Sequence, residues 1–148
     1  MTPAQKDLVQ NTWTLVVPIA DTATAMFYER LFEIDPGSRA LFENTDMADQ
    51  RLKLLQVLSV AVAGLDDLDR LIPIVEDLGR RHATYGVRDA HYDSVGTALL
   101  WTLQQGLGAA WNPETTAAWT EIYALLSGVM RRAQKEAAKG LNGARDLN

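Results

Sequence analysis

Cysteine is absent from this chain of 148 residues. Its absence excludes disulfides, metal clusters ligated by thiolates and any cysteine nucleophile. An excess of basic residues is also missing, because 14 lysines and arginines stand against 19 aspartates and glutamates, for a net charge of −5. A protein that binds nucleic acid needs a basic face to neutralise phosphates. We therefore expect no nucleic-acid partner.

Long hydrophobic runs are lacking as well. The longest apolar stretch, about 57–65, is far shorter than the ~20 residues that cross a bilayer. The opening segment, MTPAQKDLVQ, has no basic start followed by an apolar core, so it does not resemble a signal peptide. We expect a cytoplasmic protein that has no membrane partner.

The chain does have the length and periodicity of one helical domain. Hydrophobic residues make up 47% and charged residues 22%, which is typical of a globular protein. Apolar residues recur at spacings of three and four, and no useful stretch alternates as a strand would. We predict an all-α fold, with a single domain over 1–138 and a frayed tail over 139–148.

Capping residues mark the predicted helices. Thr2 followed by Pro3 is a favoured start for the first helix, and Asp21 or Thr22 is predicted to cap the second. Pro36 and Gly37 end that second helix. The remaining helices are predicted over about 48–65, from about 68 to His82, from Asp89 or Asp93 to Leu107, and over 114–138.

His82 continues the apolar row of one predicted helix. Leu71, Ile74, Val75 and Leu78 recur at helical spacing, and His82 follows one turn after Leu78. Burying an imidazole without a partner costs roughly 1–3 kcal/mol, so a partner is expected. Taken alone, such a histidine is more often a hydrogen-bonded core residue than a metal ligand.

The preceding helix supplies polar groups that could face the same space. Gln50, Leu54 and Leu58 follow one another at intervals of four, so one amide lies on an apolar row. Tyr28 could add its hydroxyl. Taken singly, Tyr28 is a core aromatic and Gln50 a solvated residue. Together with His82 they suggest non-covalent haem, which needs an axial base, an apolar slot and an open opposite face.

Two other patterns are weaker. Asp89, His91 and Asp93 could hold a divalent cation, but their place just before a helix favours capping instead. Gly106 and Gly108 lack the third glycine of a dinucleotide-binding loop and lie at a predicted helix end.

Several segments in order carry a family resemblance: MFYERLF with Tyr28, RALF with Phe42, QRLKLLQVL with Gln50 and Leu54, LIPIVEDLGRRHATYGV with His82, and then HYDSVGTALL and AAWTEIYALL. From Leu8 to Met130 the chain resembles the globins, in particular bacterial single-domain haemoglobins and the globin portion of flavohaemoglobins. The resemblance implies a globin fold, with helices packed three-over-three and a short or absent D helix.

The resemblance also implies a cofactor and its contacts. It implies haem b, with His82 as the iron ligand and the other ring nitrogen of His82 donating to a carbonyl, for which we predict Leu78. Tyr28 and Gln50 are implied as the distal donors to a diatomic ligand. Lys53 is either a propionate partner or simply an exposed lysine. The remaining implied haem contacts are Phe42, Leu54, Val87, Tyr92 and Val95.

One position departs from the family pattern. Tyr92 matches a tyrosine that, in flavohaemoglobins, shares a network with the proximal imidazole and a glutamate of the last helix. Fifteen residues beyond Trp119, that glutamate is replaced by Gln134. A neutral amide does not draw a proton as a carboxylate does. We therefore expect weak peroxidase-like activation.

The resemblance leaves two main functions open. The first is reversible binding of dioxygen, nitric oxide and carbon monoxide at five- or six-coordinate haem, for transport, buffering or sensing. The second is a nitric oxide dioxygenase whose electrons come from a separate reductase, because no reductase segment follows within the 148 residues. A helical interaction module that has lost haem is a third reading, which His82 and Phe42 oppose. The oligomeric state is left open between monomer and homodimer.

Overall fold

The structure, a computed structural model, describes residues 1–146, and side chains over 1–139. The described residues form the helices α1 (Pro3–Val16), α2 (Ala20–Ile34), α3 (Met47–Ala63), α4 (Leu68–Thr84), α5 (Asp89–Leu107) and α6 (Pro113–Asp146). No strand occurs among them. Over the same residues, no helix has the length and apolar character to cross a bilayer. The predicted frayed tail begins at 139, and its side chains from 140 onward lie outside the described residues.

The start of α1 follows the sequence signal closely. The hydroxyl oxygen of Thr2 accepts from the backbone N–H of Gln5 at 3.1 Å, and the Gln5 side chain accepts from the Thr2 N–H at 2.9 Å. This reciprocal pair is a capping box, and Pro3 occupies the first helical position without removing a needed donor. The predicted start is confirmed.

The start of α2 differs from the prediction that Asp21 or Thr22 caps it. The helix begins at Ala20, and Ile19 occupies the capping position without a side-chain bond. A short 3-10 turn, Val17–Ile19, joins α1 to α2, and the N–H of Ala20 bonds to the carbonyl of Val17 within it. Because this turn continues the helical path through Pro18, no polar cap is needed. Asp21 lies instead in the first turn, where the helix dipole favours a carboxylate.

The six helices form the all-α arrangement that the globin resemblance implies. The most extensive helix contacts are those of α4 with α6, α2 with α5, and α1 with α6. A 3-10 segment, Pro36–Phe42, leads by a turn into α3, so no D helix intervenes among the described residues. At the centre the rings of Trp13 and Trp119 lie 6.2 Å apart, and Trp119 is 2% exposed.

A glycine allows α4 to approach α6. A Cβ atom on Gly79 would lie 2.7 Å from the Cα atom of Met130, closer than real side chains come. The buried row on α4 is Leu71, Val75 and Gly79, at spacings of four. Ile74, predicted on the apolar stripe, is 49% exposed, because it lies on the flank of that row. The helix that carries His82 is thus held tightly against α6.

The start of α5 also corrects a prediction. The capping position is Arg88, and its backbone N–H donates to Nδ1 of His91 at 2.8 Å, so neither Asp89 nor Asp93 is the cap. The carboxylate of Asp93 lies 2.8 Å from Arg131, and that of Asp89 lies 3.6 Å from Lys135. Each group of the suggested cation site therefore has a separate partner. The imidazole nitrogen of His91 accepts from the N–H of the capping residue, whereas a capping aspartate would accept from an N–H of the first helical turn.

Candidate functional site

A cluster of three aromatic rings and one amide lies where α2, the 3-10 segment and α3 meet. We call it the tyrosine cluster: Tyr28, Phe32, Phe42 and Gln50. The ring of Phe42 lies 5.5 Å from that of Tyr28, edge to face, and 5.8 Å from that of Phe32. The amide nitrogen of Gln50 donates to the hydroxyl oxygen of Tyr28 at 3.1 Å. The predicted distal pair is thus in direct contact.

The hydroxyl of Tyr28 keeps its proton. Its ring is buried, with 6% exposed, and burial raises the pKa of the phenol above its ordinary value of 10.0, although the Gln50 hydrogen bond offsets part of this rise. Because the phenol oxygen accepts from Gln50, its own O–H remains available to donate. The cluster therefore presents a neutral donor held in place by a neighbouring amide.

The imidazole of His82 lies in the last turn of α4. Its Nδ1 is 2.7 Å from the carbonyl oxygen of Leu78, the partner that the sequence predicted. A carbonyl can only accept, so Nδ1 carries the proton and Nε2 has a free lone pair. Among the described side chains, Nε2 has no hydrogen-bond partner. This is the arrangement that a metal-binding histidine needs.

The surroundings of His82 favour the neutral ring. Burial lowers the pKa of His82 below 6.5, and the positive charge of Arg81 lowers it further, while the bond to Leu78 offsets part of the effect. Neutral imidazole is the form that binds metals. The ring is half-buried. The neutral imidazole of His82 can therefore bind a metal as a ligand.

A second cluster surrounds this imidazole. We call it the histidine cluster: His82, Val87, Tyr92 and Gln134. The ring of Tyr92 lies 6.2 Å from that of His82 at an interplanar angle of 26°. The hydroxyl of Tyr92 donates to Oε1 of Gln134 at 2.5 Å, and Nε2 of Gln134 donates to the backbone carbonyl of Val87 at 2.5 Å. Three parts of the chain thus converge beside one ring.

Burial also sets the protonation of Tyr92. Desolvation raises the pKa of Tyr92 to about 12, against an opposing effect of Arg131, whose guanidinium carbon lies 5.0 Å above the ring centroid. The neighbouring Tyr123 donates its hydroxyl to the backbone carbonyl of Tyr92. The phenol of Tyr92 is therefore a neutral donor, and its acceptor is an amide rather than a carboxylate.

The helices α3 and α4 carry Gln50 and His82. These two helices make few contacts with each other, whereas α4 packs closely on α6. Several apolar side chains that pack against the core remain only partly covered, and among them are Phe42, Leu54, Leu58 and Val95. Partly covered apolar side chains, together with an imidazole nitrogen that has no partner among the described side chains, are the chemistry that a flat apolar cofactor with a metal centre requires. The residues present fit haem.

Two other residues, Val87 and Lys53, were also predicted for the site. Val87 is half-buried and enters the histidine cluster through its carbonyl, not its side chain. Lys53 is exposed on α3 and belongs to neither cluster. Sequence reasoning missed the bond from Gln134 to Val87. Every residue has a backbone carbonyl, so the sequence does not indicate which carbonyl accepts a given bond. Sequence reasoning also missed Phe32, whose spacing of four from Tyr28 was the available signal.

Fold and site together define a class: an all-α domain that offers an imidazole nitrogen with no partner among the described side chains, together with partly covered apolar side chains. Comparison with known proteins gives the family. The family model described as Globin matches residues 25–130, which is most of the chain. The chain belongs to the globin family.

The relatives include proteins of two kinds. The flavohemoprotein of Bacillus subtilis (strain 168) is 28% identical over 132 residues, which cover 88% of this chain and 33% of that protein. The neuroglobin of Chaenocephalus aceratus is 29% identical, covering 84% of this chain and 87% of the relative, and that of Danio rerio is 29% identical, covering 86% and 88%. This chain thus spans about a third of the flavohemoprotein. Family and relatives support a haem globin that binds gases.

Proposed function

We propose that this protein binds dioxygen, and other diatomic gases such as nitric oxide and carbon monoxide, reversibly at haem b that His82 ligates. The observation that carries the proposal is the imidazole of His82, whose Nδ1 is committed to Leu78 while Nε2 has no partner among the described side chains. Phe42, Leu54 and Val95 would hold the porphyrin. The chemistry that haem supplies when bound is gas binding and one-electron exchange at iron.

The protein's own groups support ligand retention on the opposite side. Tyr28 keeps its proton and has a free O–H, and the amide of Gln50 holds the phenol oxygen at 3.1 Å. A hydrogen bond to a group that carries partial negative charge is stronger than one between neutral groups. Tyr28 therefore stabilises a polarised diatomic ligand, and Gln50 orients Tyr28 for that task.

The visible absorption spectrum tests the proposal. The purified protein, supplied with haem, is reduced, treated with carbon monoxide and compared with His82→Gly. We expect the variant to show an altered reduced spectrum that added imidazole restores, because free imidazole can fill the space of the missing ring. His91→Gln is the matched control, since His91 bonds only to the start of α5. A colourless wild-type protein, or identical spectra for wild type and His82→Gly, would contradict the proposal.

A second candidate is nitric oxide dioxygenation, in which NO, O2 and one electron give nitrate. The similarity to the flavohemoprotein and the Tyr28–Gln50 contact favour it. The amide of Gln134 beside Tyr92 disfavours strong activation, because it lacks the charge of a carboxylate. Nitrate formed per haem, with an added reductase and nitric oxide, separates the candidates. Many equivalents would establish the enzyme, and a single equivalent would favour gas binding.

A further inference from the structure

Positive charge is concentrated in two segments of the chain, residues 80–88 and residues 131–135. Neither segment contains an aspartate or a glutamate, although the chain has 19 of these residues. Six of the 14 lysines and arginines lie in the two segments, and we call them the basic face: Arg80, Arg81, Arg88, Arg131, Arg132 and Lys135. The rest of the chain is therefore more acidic than the net charge of −5 indicates.

The fold brings the two segments together at the end of α4. A Cβ atom on Gly79, just before the first segment, would lie 2.7 Å from the Cα atom of Met130, just before the second. The side chain of Gln134 donates to the carbonyl of Val87, so the later parts of the two segments are also in contact. Each residue of the basic face lies within two positions, along the chain, of one of these contacts. The six charges therefore share one region of the molecule, and this region includes His82.

Local ion pairs account for half of the basic face. Three of its side chains have acidic partners: Arg81 with Asp77 at 2.9 Å, Arg131 with Asp93 at 2.8 Å, and Lys135 with Asp89 at 3.6 Å. Arg80, Arg88 and Arg132 are exposed and make no ion pair with any described side chain. Arg132 lies in the interior of α6, so attraction to a helix end does not explain its charge. The face thus keeps an excess of positive charge that no contact within the described residues uses.

An exposed aromatic ring accompanies these charges. Tyr85 is 60% exposed, and its ring centroid lies 6.0 Å from that of His82. Among the described residues of the two segments, Tyr85 is the one large hydrophobic side chain that is exposed. A surface that inserts into a bilayer needs several such side chains, whereas tyrosine together with arginine is typical of contacts between proteins. The composition of the face therefore favours a protein partner with an acidic surface.

We propose that the basic face docks an acidic protein that donates one electron, with Tyr85 as the apolar contact. The inference rests on the proposed function, because haem that has become ferric must regain one electron before it binds dioxygen again. One electron passes from the reduced donor to ferric haem, the donor is oxidised by one electron, and no proton or group is transferred. Opposite charges steer the donor towards the side of the molecule that carries His82.

Association with a ferredoxin of net negative charge tests the surface. Arg80→Glu and Arg132→Glu each reverse one charge, the first on α4 and the second on α6. Arg70→Glu is the matched control, since it makes the same change at an exposed position near the start of α4. In surface plasmon resonance at low salt, we expect each face variant to associate about three- to tenfold more slowly and the control to associate at the wild-type rate. The differences should disappear near 1 M salt, where the screening length is about 3 Å.

Tyr85→Ala separates the apolar contact from the charges. Loss of a contact ring speeds dissociation more than it slows association, so we expect about fivefold faster dissociation of the ferredoxin. The salt dependence of association should stay at the wild-type value, because no charge is changed. The spectrum of the carbon monoxide complex should match the wild type in every variant, which shows that the haem site is intact.

Electron transfer is the second measurement. Ferric, haem-loaded protein is mixed with chemically reduced ferredoxin under carbon monoxide, and the spectrum of the ferrous complex is followed. At limiting ferredoxin, the rates for Arg80→Glu and Arg132→Glu should fall by the same factors as their association rates. The rate for Arg70→Glu should not fall.

The outcomes separate this inference from the proposed function. If the protein does not bind haem, the electron-transfer signal is missing, whereas weaker association of the face variants with the ferredoxin still supports the surface. If Arg80→Glu fails to fold, Arg132→Glu on the other helix decides. Equal association rates for the wild type, both face variants and the control would overturn the inference. Binding of the wild type to vesicles of anionic phospholipid, without binding to the ferredoxin, would overturn it as well.

Discussion

The amide nitrogen of Gln50 lies 3.1 Å from the hydroxyl oxygen of Tyr28, and this bond joins α3 to α2 across 22 residues of sequence. The phenol oxygen is the acceptor in this bond, so the phenol proton remains available for donation to another group. A donor that is both buried and oriented loses little freedom when a ligand arrives, so in the function proposed above more of the hydrogen-bond energy would stabilise the bound gas.

Replacing Tyr28 by phenylalanine should speed the release of dioxygen about tenfold. The change removes one hydrogen bond of ~1.4 kcal/mol to the ligand and keeps the ring, which packs against Phe42. Stopped-flow measurement of dissociation checks this. Gln56→Leu, at an exposed position of α3, is the control and should release gas at the wild-type rate. An unchanged rate in Tyr28→Phe would show that the phenol does not reach the ligand.

Replacing Gly79 by alanine should destabilise the protein by about 1–3 kcal/mol. The added Cβ would lie 2.7 Å from the Cα atom of Met130, so α4 must move away from α6. Urea unfolding gives the free energy. Gly128→Ala on α6 is the matched control, because a Cβ there meets nothing within 4 Å. That control should gain about 0.5–1 kcal/mol, since alanine favours helix over glycine. Equal stabilities for the two variants would argue against the close approach of α4 to α6.

Replacing Thr12 by valine should cost about 1–3 kcal/mol of unfolding free energy. The indole N–H of Trp119 donates to the Thr12 hydroxyl at 2.9 Å, and both residues are buried. The variant leaves that N–H without an acceptor inside the core. Thr14→Val makes the same chemical change at an exposed position of α1, where the hydroxyl bonds only to the carbonyl of Asn11. The difference between the two variants measures the buried bond.

The protein should lose stability as the pH rises above about 10. Burial raises the pKa of Tyr92 to about 12 and raises the pKa values of Tyr28 and Tyr123. In the unfolded chain these phenols ionise near their ordinary value of 10.0. Between that pH and the folded pKa, the unfolded state has lost protons that the native state keeps, so unfolding becomes more favourable. Below pH 10 the stabilisation is fully present.

Unfolding free energies measured from pH 8 to about pH 11 test this dependence. Each buried tyrosine contributes a slope of at most about 1.4 kcal/mol per pH unit. Tyr92→Phe should therefore reduce the slope. A flat profile in the wild type would contradict the buried, protonated state of these phenols.

Much of the fold followed from local rules. The Thr2 cap and the helical periodicity involve residues three or four apart, and such patterns are readable from one segment. The bond from His82 to Leu78 was implied by the family resemblance. The family resemblance supplied the order in which the segments pack. The all-α globin fold was therefore predictable, and the structure and the family model confirm it.

The details that sequence reasoning missed involve backbone groups or distant partners. The start of α2 at Ala20 depends on a 3-10 turn that satisfies an N–H, and the start of α5 depends on an imidazole nitrogen. The bond from Gln134 to Val87 spans 47 residues and ends on a carbonyl. Periodicity indicates which face of a helix a side chain lies on, but it does not indicate which backbone group that side chain contacts.

The start of α5 also fixes the tautomer of the other histidine. His91 accepts a hydrogen bond at Nδ1, so its neutral ring carries the proton at Nε2, whereas His82 donates at Nδ1 and is bare at Nε2. The two imidazoles of this chain are thus opposite tautomers. Their ring nitrogens should give mirrored nitrogen-15 chemical shifts at alkaline pH, a signature that identifies each ring before any metal is added.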